Sequence, residues 1–313
     1  EVPVVEPGAR APGRGYCFQE RFDDLEKMLE HAVAWANGLA ATDNDWPPMI
    51  DTYVNVAMVA QAFGCEVVCT PGSDPWTRPA IGDISQVWSL RPAPLMDVPM
   101  IRRTFEWIDY AQRKLGTDVP VWTMDIQSPF SVAAHVIDGT ELLMACVTHP
   151  REVHHLCRMI TEYTIELMQA HIAQMEHPGF PGRNFPSISE NIGICIADDT
   201  PLIMLSPEMY RQFALPYNRQ LGEVFGGVHI HSCGEYAHNL DNLLAIPSVR
   251  SIQVHAGPGE FHLPASPGDD HPFNRARARA TCLVDANPIA RGDAWKGRPR
   301  DHYAEYVLPR LKA

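Results

Sequence analysis

The sequence predicts an α/β fold in which βα units wind around a parallel sheet, and three observations predict it. From about residue 100 onward, short β-branched runs alternate with long amphipathic stretches. The chain has 313 residues, 45% of them hydrophobic, enough for one large core of barrel size. Ionisable residues recur where the apolar runs stop, which is where an α/β barrel gathers its chemistry.

Residues 1–16 are rich in Pro, Gly and Arg, and residues 1–20 are read as an N-terminal extension ahead of a single (β/α)-barrel domain over 21–313. Helical periodicity predicts helices over Phe22–Asn37, Pro99–Leu115, Pro150–Glu176, Pro207–Phe225, Tyr236–Leu244 and Asp301–Leu311. The helix from Pro207 is the best punctuated. Ser206 stands as a hydroxyl N-cap, Pro207 fills the first helical position, Glu208 faces the helix dipole, and Gly226 and Gly227 stop the run. Strands are predicted at Val119–Met124, Ile192–Ala197, Gly227–Ile230, Val249–Val254 and Ala278–Val284, with a further one at Cys65–Cys69. The Pro-rich stretches 179–187 and 257–273 read as loops of the active face.

A net charge of −13 with no run of Lys or Arg argues against nucleic acid or an anionic membrane as partner. No apolar run reaches transmembrane length. Eight cysteines are scattered without a disulfide framework, as expected of a reducing compartment, so the protein is expected to be cytoplasmic.

Five predicted strands end on ionisable residues: Asp125, the pair Asp198 and Asp199, His231 with Cys233, His255, and Asp285. Singly, each suits a cap or a loop; together they predict one polar site. His231 and Cys233 lie two apart, so in an extended segment both side chains leave one face, where an imidazole and a thiolate can share a cation such as zinc. The same spacing also accommodates a small buried cysteine beside a loop histidine. Cys65 and Cys69, the Trp46, Trp76 and Trp122 indoles, and Tyr210 with Tyr217 are read as core residues, and His154 and His155 as surface or interhelix residues.

Residues 205–217 (LSPEMYRQFALPY) followed by the His231-Ser232-Cys233-Gly234 turn resemble the uroporphyrinogen decarboxylase superfamily. So do Trp46 with the two prolines after it, the stretch Ala62–Glu66, Asp125–Phe130, the helix from Pro150, Ala197–Asp199 and Leu283–Pro288, in that order along the chain. The resemblance implies a (β/α)8 TIM-type barrel, with an irregular N-terminal segment or an incomplete barrel also open. It implies either of two chemistries: cofactor-free decarboxylation, or zinc-dependent methyl transfer between a corrinoid and a small thiol or methylated compound. The His-x-Cys-Gly turn resembles the methyltransferase branch, with a small-molecule substrate, a corrinoid carrier protein and a homodimer as implied partners.

In that branch a late cysteine completes the zinc site, whereas here no cysteine follows Cys282. The third ligand is therefore sought among His238, His255, Cys282 and the Asp198/Asp199 pair, with His238 nearest in sequence. The expected metal ligands are His231, Cys233 and His238. The expected catalytic residues are Asp125, Asp199 and His255, and the expected substrate contacts Trp46, Asp198 and Tyr236. As a decarboxylase the chain would hold its substrate through Asp125 or Asp199 and carboxylates through Arg10, Arg14 or Arg78. As a binding protein it would sequester a metal or corrinoid without turnover.

Overall fold

The computed structural model describes residues 15–40, 50–70 without 53, 73–115, 121–175 without 122 and 125, 193–255 without 235, and the strand 281–285. Predictions that fall elsewhere lie outside the described residues: the helix over 301–311, both Pro-rich loops, and Trp46, Trp122, Asp125, Arg10 and Arg14.

The chain opens with α1 (Phe18–Asp23) and α2 (Leu25–Ala40), separate where one helix is predicted. Asp24 adopts extended dihedrals, φ −129° and ψ 108°, and its carboxylate accepts the Glu26 N–H at the start of α2. After α3 (Ala57–Ala62) come β1 (Glu66–Val68) and β2 (Trp76–Arg78), which pair antiparallel. The predicted strand at Cys65–Cys69 therefore belongs to a small hairpin apart from the parallel sheet. Two further readings are corrected there. Trp76 is 62% exposed and stacks on His135 instead of filling the core, and Cys69 is exposed while Cys65 is buried. A two-stranded hairpin has an outer face that nothing covers, and odd and even residues part company across it. Arg78 is held on the same hairpin by Glu66 at 2.9 Å, both largely exposed.

α4 (Pro99–Leu115) buries Met100, Ile101, Thr104, Trp107, Ile108 and Ala111, the spacing of one helical face. β3 (Ile126–Gln127) follows, and Val121 makes an isolated parallel bridge to Ile50, so the predicted strand 119–124 starts correctly but pairs further along. Three helices then return the chain: α5 (Pro129–Val136), α6 (Gly139–Thr148) and α7 (Pro150–Gln174). α5 and α6 escape the periodicity reading because both are short and apolar, α5 being buried at most of its positions.

β4 (Ile194–Ala197) leads to α8 (Asp199–Met204), α9 (Pro207–Phe213) and α10 (Leu215–Val224). The single helix predicted over 207–225 breaks at Ala214, because Pro216 in the first turn of α10 has no N–H for the preceding turn. β5 (Val228–His231), a 3-10 turn over Ala237–Asn239, α11 (Leu240–Leu244), β6 (Val249–His255) and β7 (Thr281–Asp285) complete the described residues.

β3 through β7 pair in consecutive order, all parallel, the winding of a TIM-type barrel. Each crossover whose helices are described returns the chain from the end of one strand to the start of the next. β4 and β5 are buried at every position, as expected for strands covered on both faces. No helix among the described residues is long and apolar enough to cross a membrane. The strand ends align: Gln127 pairs with Ala197, Ala197 with His231, and His255 with Asp285. Register thus gathers the predicted polar positions at one edge of the sheet.

Candidate metal centre at the ends of β4 and β5

β5 delivers His231 as its last residue, buried, and Cys233 two positions later, exposed. The extended chain places both side chains together, with His231 Nε2 3.1 Å from Cys233 Sγ. Asp199 opens α8 directly beyond β4, and its Oδ1 accepts the Cys233 N–H at 2.6 Å. One ligand atom from each of Asp199, His231 and Cys233 lies within 4.8 Å of the others.

The imidazole is fixed from behind. His231 Nδ1 bonds Gln253 Oε1, an atom that only accepts, so Nδ1 carries the proton and the Nε2 lone pair faces Cys233. This pairing depends on an irregularity in the sheet. Val228 pairs with Val249, but His229 pairs with Ser251, a one-residue register shift that carries Gln253 opposite His231. Without it an isoleucine, Ile252, would stand there.

Asp198 takes a different place from its neighbour. Its backbone N–H donates to the His231 carbonyl at 2.8 Å, tying β4 to the end of β5. Its carboxylate is wholly buried, and Oδ2 accepts from the Tyr210 hydroxyl at 2.6 Å and from Asn218 Nδ2 at 2.8 Å. Burial pushes this carboxyl up to about 7, against the opposing pull of Ser128, Tyr210 and Asn218. Tyr210 and Asn218 sit on α9 and α10, so Asp198 pins two helices to the strand end. Removing one donor leaves a buried carboxyl under-satisfied; Tyr210→Phe is expected to cost about 1–3 kcal/mol, read as a lowered urea midpoint.

The other predicted residues divide as follows. Tyr236 is buried and donates to the Gln253 carbonyl, bracing the residue that orients His231. His238 bonds the Leu205 carbonyl through Nε2 at 3.2 Å and is not a member of the Asp199–His231–Cys233 group, which Asp199 completes instead. The 3-10 turn over Ala237–Asn239 sends its ring toward the loop before α9. His255 ends β6 in register with Asp285, its side chain outside the described residues. His154 bonds and neighbours Tyr217 between α7 and α10, and His155 stacks on Trp88. Sequence reasoning leaves out Tyr210 as a site residue, and Asn218 and Gln253 altogether. The alternation His229/His231 beside Ser251/Gln253 was the available signal for the last of these, as two polar pairs at period two inside apolar strands.

A sequence model of the family described as uroporphyrinogen decarboxylase (URO-D) matches residues 18–175, just over half of the chain. The chain belongs to the uroporphyrinogen decarboxylase (URO-D) family. Membership of the URO-D family rests on the half of the chain before β4, and the Asp199–His231–Cys233 group lies beyond the matched stretch. Among solved structures this URO-D family member is similar to a methyltransferase from Methanosarcina mazei, with a TM-score of 0.57 and 20% sequence identity. That likeness, one of fold, covers 74% of this chain and 63% of the methyltransferase chain. No curated protein matches the sequence.

Proposed function

We propose that this URO-D family protein is a zinc-dependent methyltransferase component that moves a methyl group between a corrinoid and a small thiol or methylated compound. The observation that carries the reading is the three-donor group of Asp199, His231 and Cys233 at the end of β4 and β5. Oxygen, nitrogen and sulfur are donors that zinc accepts, and three protein ligands leave a position for a substrate. The donor set fits the ion, and the Gln253 bond to His231 Nδ1 is the outer support such a ligand requires. The methyltransferase from Methanosarcina mazei, similar in fold, supports the choice of reaction class.

His231 would ligate through Nε2 and Cys233 through Sγ, with Asp199 as the third ligand in place of a late cysteine. Asp199 would also hold the turn, since its Oδ1 takes the Cys233 N–H. Bound zinc would supply the acidity that makes a substrate thiol a thiolate at neutral pH. The exposed side of Cys233 is where the substrate would enter, with a corrinoid carrier protein as methyl donor or acceptor. Transfer to the thiol forms a carbon–sulfur bond and breaks the carbon–cobalt bond, whose electron pair stays with cobalt.

The test is metal content by elemental analysis of wild type and of Cys233→Ser purified alongside it. About one zinc per chain in the wild type, lost in Cys233→Ser, is the expected result. Gln253→Ala is expected to retain the fold and weaken zinc binding about 10- to 100-fold in competition with a chelator. Folded wild-type protein that binds no added zinc would sink the reading. The URO-D match favours the second reading in that case: a decarboxylase active without metal, its substrate held by Asp125 or Asp199.

A further inference from the structure

α8 carries more than a ligand to the site. Ile203 lies four residues after Asp199, hence on the same face of α8. It packs against Gly234, the residue after Cys233: a Cβ on Gly234 would stand 2.7 Å from Ile203 Cγ1. Glycine at 234 thus lets the isoleucine lie directly over the turn that presents the thiol. Ile203 nevertheless remains 39% exposed, beside the exposed Cys233. An apolar side chain left partly in water next to a polar donor group is a surface that gains by being covered.

We propose that Ile203 is the apolar wall of the substrate position and selects a short alkyl thiol over a thiol that carries a carboxylate close to sulfur. The inference rests on the metal reading given above and adds the substrate class to it. A ligand sulfur taking the place beside Asp199, His231 and Cys233 brings its first carbons against Ile203. An ethyl group gains there by leaving water, whereas a carboxylate at the same distance gives up hydration and meets the Asp199 carboxylate.

The experiment uses the full chain loaded with cobalt(II), a spectroscopic substitute for zinc, and follows sulfur-to-cobalt absorbance on titration with ethanethiol and with mercaptoacetate. Wild type is expected to bind ethanethiol at least about ten-fold more tightly. Ile203→Ala should weaken ethanethiol by about 4- to 15-fold, the loss of one to two buried methylenes, and leave mercaptoacetate unchanged. Ile203→Leu should keep the wild-type preference, which separates apolar contact from a general disturbance of α8. Equal affinity for both thiols in wild type, or equal weakening of both in Ile203→Ala, overturns the wall while leaving the metal site standing. Cobalt that fails to bind, or that stays bound in Cys233→Ser, overturns the metal reading and this proposal with it.

Discussion

Gly193→Ala is expected to destabilise the protein by about 3–5 kcal/mol, one of the two largest effects the structure implies. Gly193 precedes β4 with φ +83°, a left-handed conformation that costs a residue bearing a Cβ roughly 1–2 kcal/mol. The remainder comes from space. An added Cβ would collide with the Gly227 carbonyl oxygen and stand 2.8 Å from Gly227 Cα. Both are backbone atoms that cannot swing aside, and overpacking of this kind costs about 1–3 kcal/mol. That same carbonyl accepts the Ile194 N–H at 3.3 Å, so relieving the clash pulls on the first rung between β4 and β5. Gly226 supplies the control. It too has positive φ, +74°, but nothing lies within 4 Å of an added Cβ. Gly226→Ala should therefore cost only about 1 kcal/mol, the conformational part alone. Urea denaturation of the two variants decides the matter: equal midpoints would mean that close approach of the strands contributes nothing.

Acid is expected to destabilise the fold through His171, to the extent of roughly 2 kcal/mol at pH 5. His171 is wholly buried on α7, where its Nε2 accepts the Met124 N–H at 3.1 Å and Nδ1 has no hydrogen-bond partner. Burial pushes this imidazole down to about 3. In the unfolded chain it titrates near 6.5, so below that pH the unfolded state takes up a proton that the folded state refuses. The contribution is thus complete above about pH 6.5 and is lost progressively as pH falls toward 3, at about 1.4 kcal/mol per pH unit. His135, His154 and His155 are shifted down by burial as well, so the wild-type slope sums several groups. His171→Gln isolates one of them. A glutamine oxygen can accept from Met124 and takes up no proton. The variant should lose about 2 kcal/mol less than wild type between pH 7.5 and pH 5, and identical losses would contradict the assignment.

The amino-acid sequence by itself determined the parallel βα architecture, since buried strands such as Ile-Cys-Ile-Ala and long amphipathic helices such as 99–115 carry their burial in their period. It also determined that His231 and Cys233 act on one face, because extended backbone repeats every two residues whatever surrounds it. Breaks inside helices were harder to see: Pro216 was visible, yet only the packed chain shows it splitting α9 from α10. The third member of the group lay beyond local reasoning. His238 was nearest along the chain, but proximity in sequence does not decide which way a turn points, and its ring goes to Leu205. Asp199, 34 residues from Cys233, arrives because β4 and β5 are neighbours in register. Gln253 meets His231 only because the ladder slips by one residue after Val228, and Asp198 is bound by Tyr210 and Asn218 only because α9 and α10 fold back over the strand end. Strand pairing, register and helix docking are fixed by contacts between distant segments, and those exist only once the core has formed, so the partners that complete the site were decided by the tertiary structure alone.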